Sequence, residues 1–220
     1  MNRVLISVEG QTEETFVREV LRPFLSGHNV HPIPVILIRK IVKSGPNFKG
    51  GISAYQKTRR EILRLLNDTD AVGVTSMYDL YGLPNDFPGV GIQGDRNCYE
   101  RVQRIEEAIT QDLDNIRFKP YLQLHEFEAL LFANPDIFHY LFGDPELVEY
   151  IRQIRGIFNT PEEINDNPVT SPSHRIVDIF PAYQKTLHGP IGTIEIGIDA
   201  LSQECPHFHE WVDWLIALGK

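Results

Sequence analysis

The apolar positions of this chain follow two rhythms, and the switch between them marks out its elements. Val4, Leu5, Ile6 and Val8 form a short β-branched run closed by Glu9 and Gly10, the pattern of a buried strand ending in a tight turn. Thr12 is then placed to cap a helix, with Glu13 and Glu14 in its first turn, where carboxylates meet the positive helix end. Phe16, Val17, Val20, Leu21 and Phe24 recur at helical spacing. A second apolar run, Ile33 to Ile38, predicts another strand. Lys43-Ser44-Gly45-Pro46 and Gly50-Gly51 are loop chemistry. Ile52, Tyr55, Ile62, Leu65 and Leu66 share one face of the helix that follows. Ala71 to Met77 reads as a third buried strand ending at Tyr78-Asp79, before a long loop over 80–95. Arg96 to Leu113 is a charged amphipathic helix, Phe118 to Leu124 a fourth strand, and HEFEALLFA (125–133) a short helix.

The order βαβαβαβ predicts a mostly parallel sheet of about four strands covered by helices. In such sheets ligands lie outside the carboxyl ends of the strands. Glu9, Asp79 and the trio His125, Glu126 and Glu128 all fall at such ends, on three different strands. From Asn134 onward the pattern is helical. Short helices are expected over 136–142, 145–154 and 161–164. A longer one opens at Ser171-Pro172-Ser173 and runs to Leu187, where Gly189-Pro190 breaks it. Two more helices flank Pro206. The organisation predicted is an α/β domain over 1–133 with a helical extension over 134–220 packed on it as one structural unit.

Charge alters this picture locally. The net charge of the 220-residue chain is −9, which argues against a general nucleic-acid binder. Between Arg39 and Arg64, however, eight basic residues face one acid, Glu61, so the segment is +7 and the remainder −16. Lys40, Lys43, Lys49, Arg59 and Arg60 are therefore candidates for gripping phosphates without reading sequence; the alternative is a solvated helix and loop surface. Cys98 and Cys205 are few and far apart, which fits a reducing cytoplasm. The apolar start is too short for a signal peptide, and no stretch of about 18 apolar residues predicts a membrane span.

The candidate chemistry is carboxylate chemistry. A glutamate leaving a strand before a glycine, Glu9, can aim into the cleft, and Glu13 lies one helical turn on; helix capping is the alternative. Asp79 closes a buried strand, where an acid is costly unless solvated or bound to metal. Asp86 and Asp95 suit turn roles better. On a helix His125 and Glu128 share a face, and the surrounding Phe127, Leu130, Leu131 and Phe132 bury Glu128, which then needs a partner. Cys205, His207 and His209 lack the paired ligand spacing of structural zinc. Arg175, Lys185 and His188 could reach phosphate or serve the surface. Neither G-x-x-x-x-G-K-[ST] nor G-x-G-x-x-G occurs.

Taken together, VEGQTEETF, MYDLYG and LQLHEFEALLF, with the closing ECPHFHEW, resemble a bacterial family of uncharacterised proteins with a TOPRIM-like (topoisomerase–primase) domain. The likeness covers nearly the whole chain and is similar to the TOPRIM nucleases of the overcoming-lysogenization-defect type. It implies a TOPRIM-like fold in which Glu9, Glu13 and Asp79 bind Mg2+ or Mn2+. Glu128 is implied as the third acid, with Glu126 in reserve. Glu9, Asp79 and Glu128 would be catalytic. The usual Asp-x-Asp is altered here, because Tyr81 stands where the second aspartate belongs; Asp86, Glu126 or Glu128 would have to replace it. The resemblance also implies an ABC- or SMC-type ATPase partner encoded nearby, in a defence or DNA-processing setting.

The function expected is metal-dependent phosphodiester hydrolysis of nucleic acid, DNA first among substrates, with Glu9 also placed to act as general base. A non-catalytic module docking on the ATPase through its helical tail is the alternative. A phosphotransfer or nucleotide-processing enzyme using the same carboxylates is a third. Oligomerisation is compatible with all of them.

Overall fold

The computed structural model describes residues 1–37, 52, 54–165, 167 and 169–220. Its elements in chain order begin with β1 (Asn2–Val8), α1 (Gln11–Phe16), a π-helical turn (Val17–Leu21), α2 (Arg22–Ser26), β2 (Val30–Ile36), α3 (Tyr55–Leu66) and β3 (Ala71–Asp79). There follow α4 (Cys98–Leu113), β4 (Phe118–Lys119), β5 (Leu122–Gln123) and a 3-10 helix (Phe127–Ala133). The rest is helical: α5 (Ile137–Phe142), α6 (Pro145–Arg155), a 3-10 turn (Pro161–Glu163), α7 (Pro172–Ile179), α8 (Lys185–Ile196), α9 (Ile198–Glu204) and α10 (Pro206–Ala217). Among the described residues no helix is long and apolar enough to cross a membrane.

This is an α/β fold with helices on both faces of a parallel sheet. The strands run in the order β2-β1-β3-β4, and β5 pairs with β3 beyond β4. Every pairing is parallel: Val8 lies opposite Ile36 on one side and Met77 on the other, while Tyr78 and Asp79 pair with Leu122 and Gln123. A strand buried on both faces reads as a continuous apolar run, and β1 shows why. Val4, Ile6 and Val8 enter one apolar cluster, whereas Leu5 enters the other. Helices α3 and α4 cover the second face through Ile62, Leu66, Val102, Ile105 and Ile109. The first face is covered by residues from both chain halves, from Phe16 and Leu21 to Phe138, Phe208 and Trp211.

Small residues on β3 set how closely the last helix approaches. A β-carbon on Gly73 would meet Leu218 Cδ1 at 2.8 Å and Trp214 Cη2 at 3.2 Å. Next along the same face, Thr75 accepts a hydrogen bond from Trp211 Nε1 at 3.0 Å. The Trp211 ring stacks on Tyr121, with centroids 4.2 Å apart.

Several sequence-based expectations need correction. The single strand expected over 118–124 is divided at Pro120, which has no N–H to donate to a ladder. Ser76 bridges the gap: its hydroxyl accepts from Tyr121 N and donates to Tyr121 O, each at 3.1 Å. Thr12 does not cap α1 but lies buried within it; the cap is Gly10, whose N–H donates to the Glu13 carboxylate at 2.9 Å. The helix opened by Ser171 ends at Ile179, ahead of Pro181, instead of reaching Leu187. Gly189-Pro190 does not break a helix; both lie inside α8. Thr193 Oγ1 binds back to the carbonyls of Gly189 (3.2 Å) and Pro190 (3.0 Å) there. The second strand begins three residues earlier than its apolar run, at Val30, and ends at Ile36. Ile38, the end expected for it, lies outside the described residues, as do Arg39, Lys40, Lys43 and Lys49.

Candidate functional site

The carboxyl ends of β1, β3 and β5 point the same way, and their acids are tied into one bonded unit. Glu9 follows the last residue of β1, and its Oε1 accepts from Asp79 N at 2.8 Å, extending the β1–β3 pairing by a side chain. Asp79 Oδ1 in turn accepts from Phe127 N at 2.9 Å, so the acid closing β3 receives the first N–H of the 3-10 helix. Leu80 N and Tyr81 N donate to the carbonyls of Gln123 (3.0 Å) and His125 (2.7 Å). His125 holds φ at +61°, a left-handed backbone that only a few per cent of non-glycine residues take, His among the more frequent of them. That turn swings the chain from β5 into Glu126 and the 3-10 helix. Local strain of this kind concentrates where a fold positions functional groups.

Glu126 and Glu128 converge on a residue from the helical half. Lys185, the first residue of α8, places Nζ 3.1 Å from Glu126 Oε2 and 3.2 Å from Glu128 Oε2. Glu126 also accepts from Ser173 N (2.6 Å) and Ser173 Oγ (2.9 Å), at the start of α7, where the helix end favours an anion. Tyr183 donates its hydroxyl to Glu128 Oε1 at 3.3 Å. The side chains of Glu126 and Glu128 are 6% and 1% exposed, while that of Lys185 is 50% exposed, so solvent reaches the site from the lysine side.

These surroundings separate the proton affinities of the acids. Asp79 is pushed well above the usual carboxylate range by burial first, then by the charges of Glu9, Glu13, Glu128 and Glu126 in that order. Glu128 is raised to about 7 by burial and by Glu126, against the pull of Lys185. Burial pushes Glu126 upward too, but Lys185 and the two Ser173 bonds outweigh it and hold the acid below its ordinary value. For Lys185, burial works against the charge and is overcome by Glu128, Glu126 and Asp79, which keep it protonated. The result is four carboxylates, Glu9, Glu13, Glu126 and Glu128, acting on Asp79, with the Lys185 ammonium seated against Glu126 and Glu128. Asp79 and Glu128 are thus both shifted upward, whereas their neighbour Glu126 is shifted downward.

The other candidate residues are dispersed. Arg59 is spent on Asp112 at 2.7 Å, an acid that also accepts from Tyr55 Oη at 2.6 Å. Arg60 is exposed and binds Gln56 O on its own helix. Asp86 receives Tyr55 N at the start of α3, and Asp95 pairs with Arg104, so both have structural roles. Tyr81 is 43% exposed. His207 bonds Glu106 at 3.1 Å and stacks on Tyr121, and His188 accepts from Gln184 N. Among the described residues no group of three or more His, Cys, Asp or Glu side chains is arranged to hold a metal ion.

Lys185, Tyr183 and Ser173 are the site residues least visible in the sequence. Lys185 lies 57 positions beyond Glu128 in a segment that reads as surface helix. The signal that could have found it is the need of buried Glu126 and Glu128 for a cation.

The profile of a domain of unknown function, DUF4276, matches residues 8–216, and the chain belongs to that family. No curated protein and no solved structure matches it.

Proposed function

We propose that this DUF4276 chain is a TOPRIM-like, divalent-metal-dependent phosphodiesterase, a nuclease acting in the cytoplasm, with its site at the carboxyl ends of β1 and β3. The observation that carries this reading is the linkage of Glu9 to Asp79 across two parallel strands, with Asp79 pushed well up by burial and then by the acids around it. Such a cluster is stabilised by a cation, and hard oxygen donors suit Mg2+ or Mn2+. Magnesium is commonly held by one or two carboxylates, with water and substrate phosphate completing its shell, so a three-acid cage is not required. Glu9 and Asp79 are the residues that would hold it, with Glu13 beside them.

When bound, the ion would supply an acidified water and a positive charge at the scissile phosphate. The chain's own residues do the positioning. Glu9, fixed by Asp79 N, is placed to take a proton from the attacking water. Phe127 N holds the Asp79 carboxylate in one orientation. Lys185, half exposed above Glu126 and Glu128, offers positive charge to a phosphate entering from solvent. DNA backbone would be gripped by Arg60 and by Lys40, Lys43 and Lys49 on the segment before α3, with Arg59 available on release from Asp112.

Incubating the full chain with plasmid and Mn2+, beside Glu9→Gln and Asp79→Asn, tests the reading. Loss of cleavage in both variants is expected, and equal cleavage by variants and wild type would sink it. One observation favours a second reading, a non-catalytic partner of an ABC- or SMC-type ATPase: the five carboxylates already accept hydrogen bonds from protein donors. Under that reading the purified chain binds the neighbouring ATPase and takes up no Mn2+.

A further inference from the structure

Two buried carboxylates that converge in a protein interior need a cation or a retained proton between them. At Glu126 and Glu128 the cation is covalently part of the chain: Lys185 Nζ lies 3.1 Å from one and 3.2 Å from the other. We propose that Lys185 is a built-in substitute for a second metal ion, so that the site takes up one divalent cation and not two. The proposal rests on the metal-dependent reading above for the first ion, at Glu9 and Asp79.

Three features support it. The oxygens on the ammonium are carboxylate oxygens of Glu126 and Glu128, the hard donors Mg2+ and Mn2+ prefer, with Tyr183 Oη on Glu128 and Ser173 Oγ on Glu126 behind them. The ammonium is held in place by backbone packing as well as by charge. Helix α8 lies so close to the 3-10 helix bearing Glu128 that a β-carbon on Gly189 would meet Phe127 Cε1 at 3.2 Å. One on Gly192 would meet Leu131 Cδ2 at 2.6 Å. Finally, the lysine side chain is 50% exposed, so an ion from solution can reach the position once the ammonium is gone. Glu9 and Asp79 accept from backbone N–H groups at 2.8 and 2.9 Å, as Glu126 does from Ser173 N at 2.6 Å; what Glu126 and Glu128 have in addition is the Lys185 ammonium.

The test is a count of bound Mn2+ on the metal-stripped full chain, read from the paramagnetic signal of free Mn2+. Wild type should bind one ion, lost in Asp79→Asn. Lys185→Met should bind two, and adding Glu128→Gln should return the count to one. Two ions in wild type, or one in Lys185→Met, overturns the proposal while leaving the Glu9–Asp79 site standing. No ion in wild type but one in Lys185→Met, abolished by Glu128→Gln, supports the role of Lys185 and removes the Glu9–Asp79 reading. No ion in either overturns both. Should the methionine variant fail to fold, Lys185→Gln keeps hydrogen bonding to the carboxylates without the charge and gives the same count.

Discussion

Replacing Lys185 by methionine keeps the length and most of the apolar stem but leaves Glu126 and Glu128 without their shared cation. Breaking a buried ion pair costs about 3–5 kcal/mol, and the half exposure of the ammonium brings the expected loss to about 2–3 kcal/mol at pH 8. The loss depends on pH with a definite sign. Glu128 has its pKa raised to about 7, so its ionisation in the native state costs stability as pH climbs from about 4.5 to about 7. Without Lys185 that pKa moves higher and the cost grows further. At pH 5 Glu128 is protonated in both proteins, and the variant loses only the contact with Glu126, which is depressed in the native state. The difference there should shrink to about 1 kcal/mol, the upper value of an ion pair screened by solvent on its lysine side. Urea unfolding at pH 5 and pH 8, with EDTA present, measures both differences. A loss equal at the two values, or larger at pH 5, would refute the reasoning. Adding Glu128→Gln to Lys185→Met should flatten the dependence.

Three further outcomes follow from the packing and the titrating groups. Trp211→Ala removes the ring stacked on Tyr121 and the donor to Thr75, and should lower stability by about 3–5 kcal/mol in denaturant unfolding. Gly192→Val should cost about 1–3 kcal/mol by forcing α8 away from Leu131; melting the Leu131→Ala double variant should show part of that loss recovered. Burial alone would lower the His207 pKa, but Glu106 raises it above its ordinary value. That pair should therefore stabilise the chain fully below about pH 6.5 and lose its contribution as pH rises through the raised value. Glu106→Gln should thus be less stable than wild type by about 1.5–3 kcal/mol at pH 6, with a smaller gap at pH 9 in urea unfolding.

The parts of this fold that were legible in the sequence are those governed by local patterns. The double-sided burial of β1 is written in Val4-Leu5-Ile6 and Val8, and the strand-end placement of Glu9 and Asp79 follows from where such runs stop. Ser171 was readable as a helix cap, and its hydroxyl accepts from His174 N. Features decided at long range were hidden. Pro120 divides a strand that reads as continuous because Ser76, on another strand, supplies the missing bonds. Gly189-Pro190 reads as a helix break, yet both lie inside α8 and Gly189 lets that helix press against Phe127. Lys185 reads as a surface lysine because its partners lie more than fifty positions away. Glu13, by contrast, read as either cap or ligand and serves as a cap through Gly10 N, within electrostatic reach of Asp79.

The central claim is that Glu9 and Asp79 hold a divalent cation at the ends of β1 and β3. A crystal soaked in Mn2+ and measured at the manganese edge tests it most directly. One anomalous peak is predicted beside Glu9 and Asp79, with Lys185 still between Glu126 and Glu128. No peak at the strand ends, or a single peak between Glu126 and Glu128 with Lys185 displaced, would contradict the account.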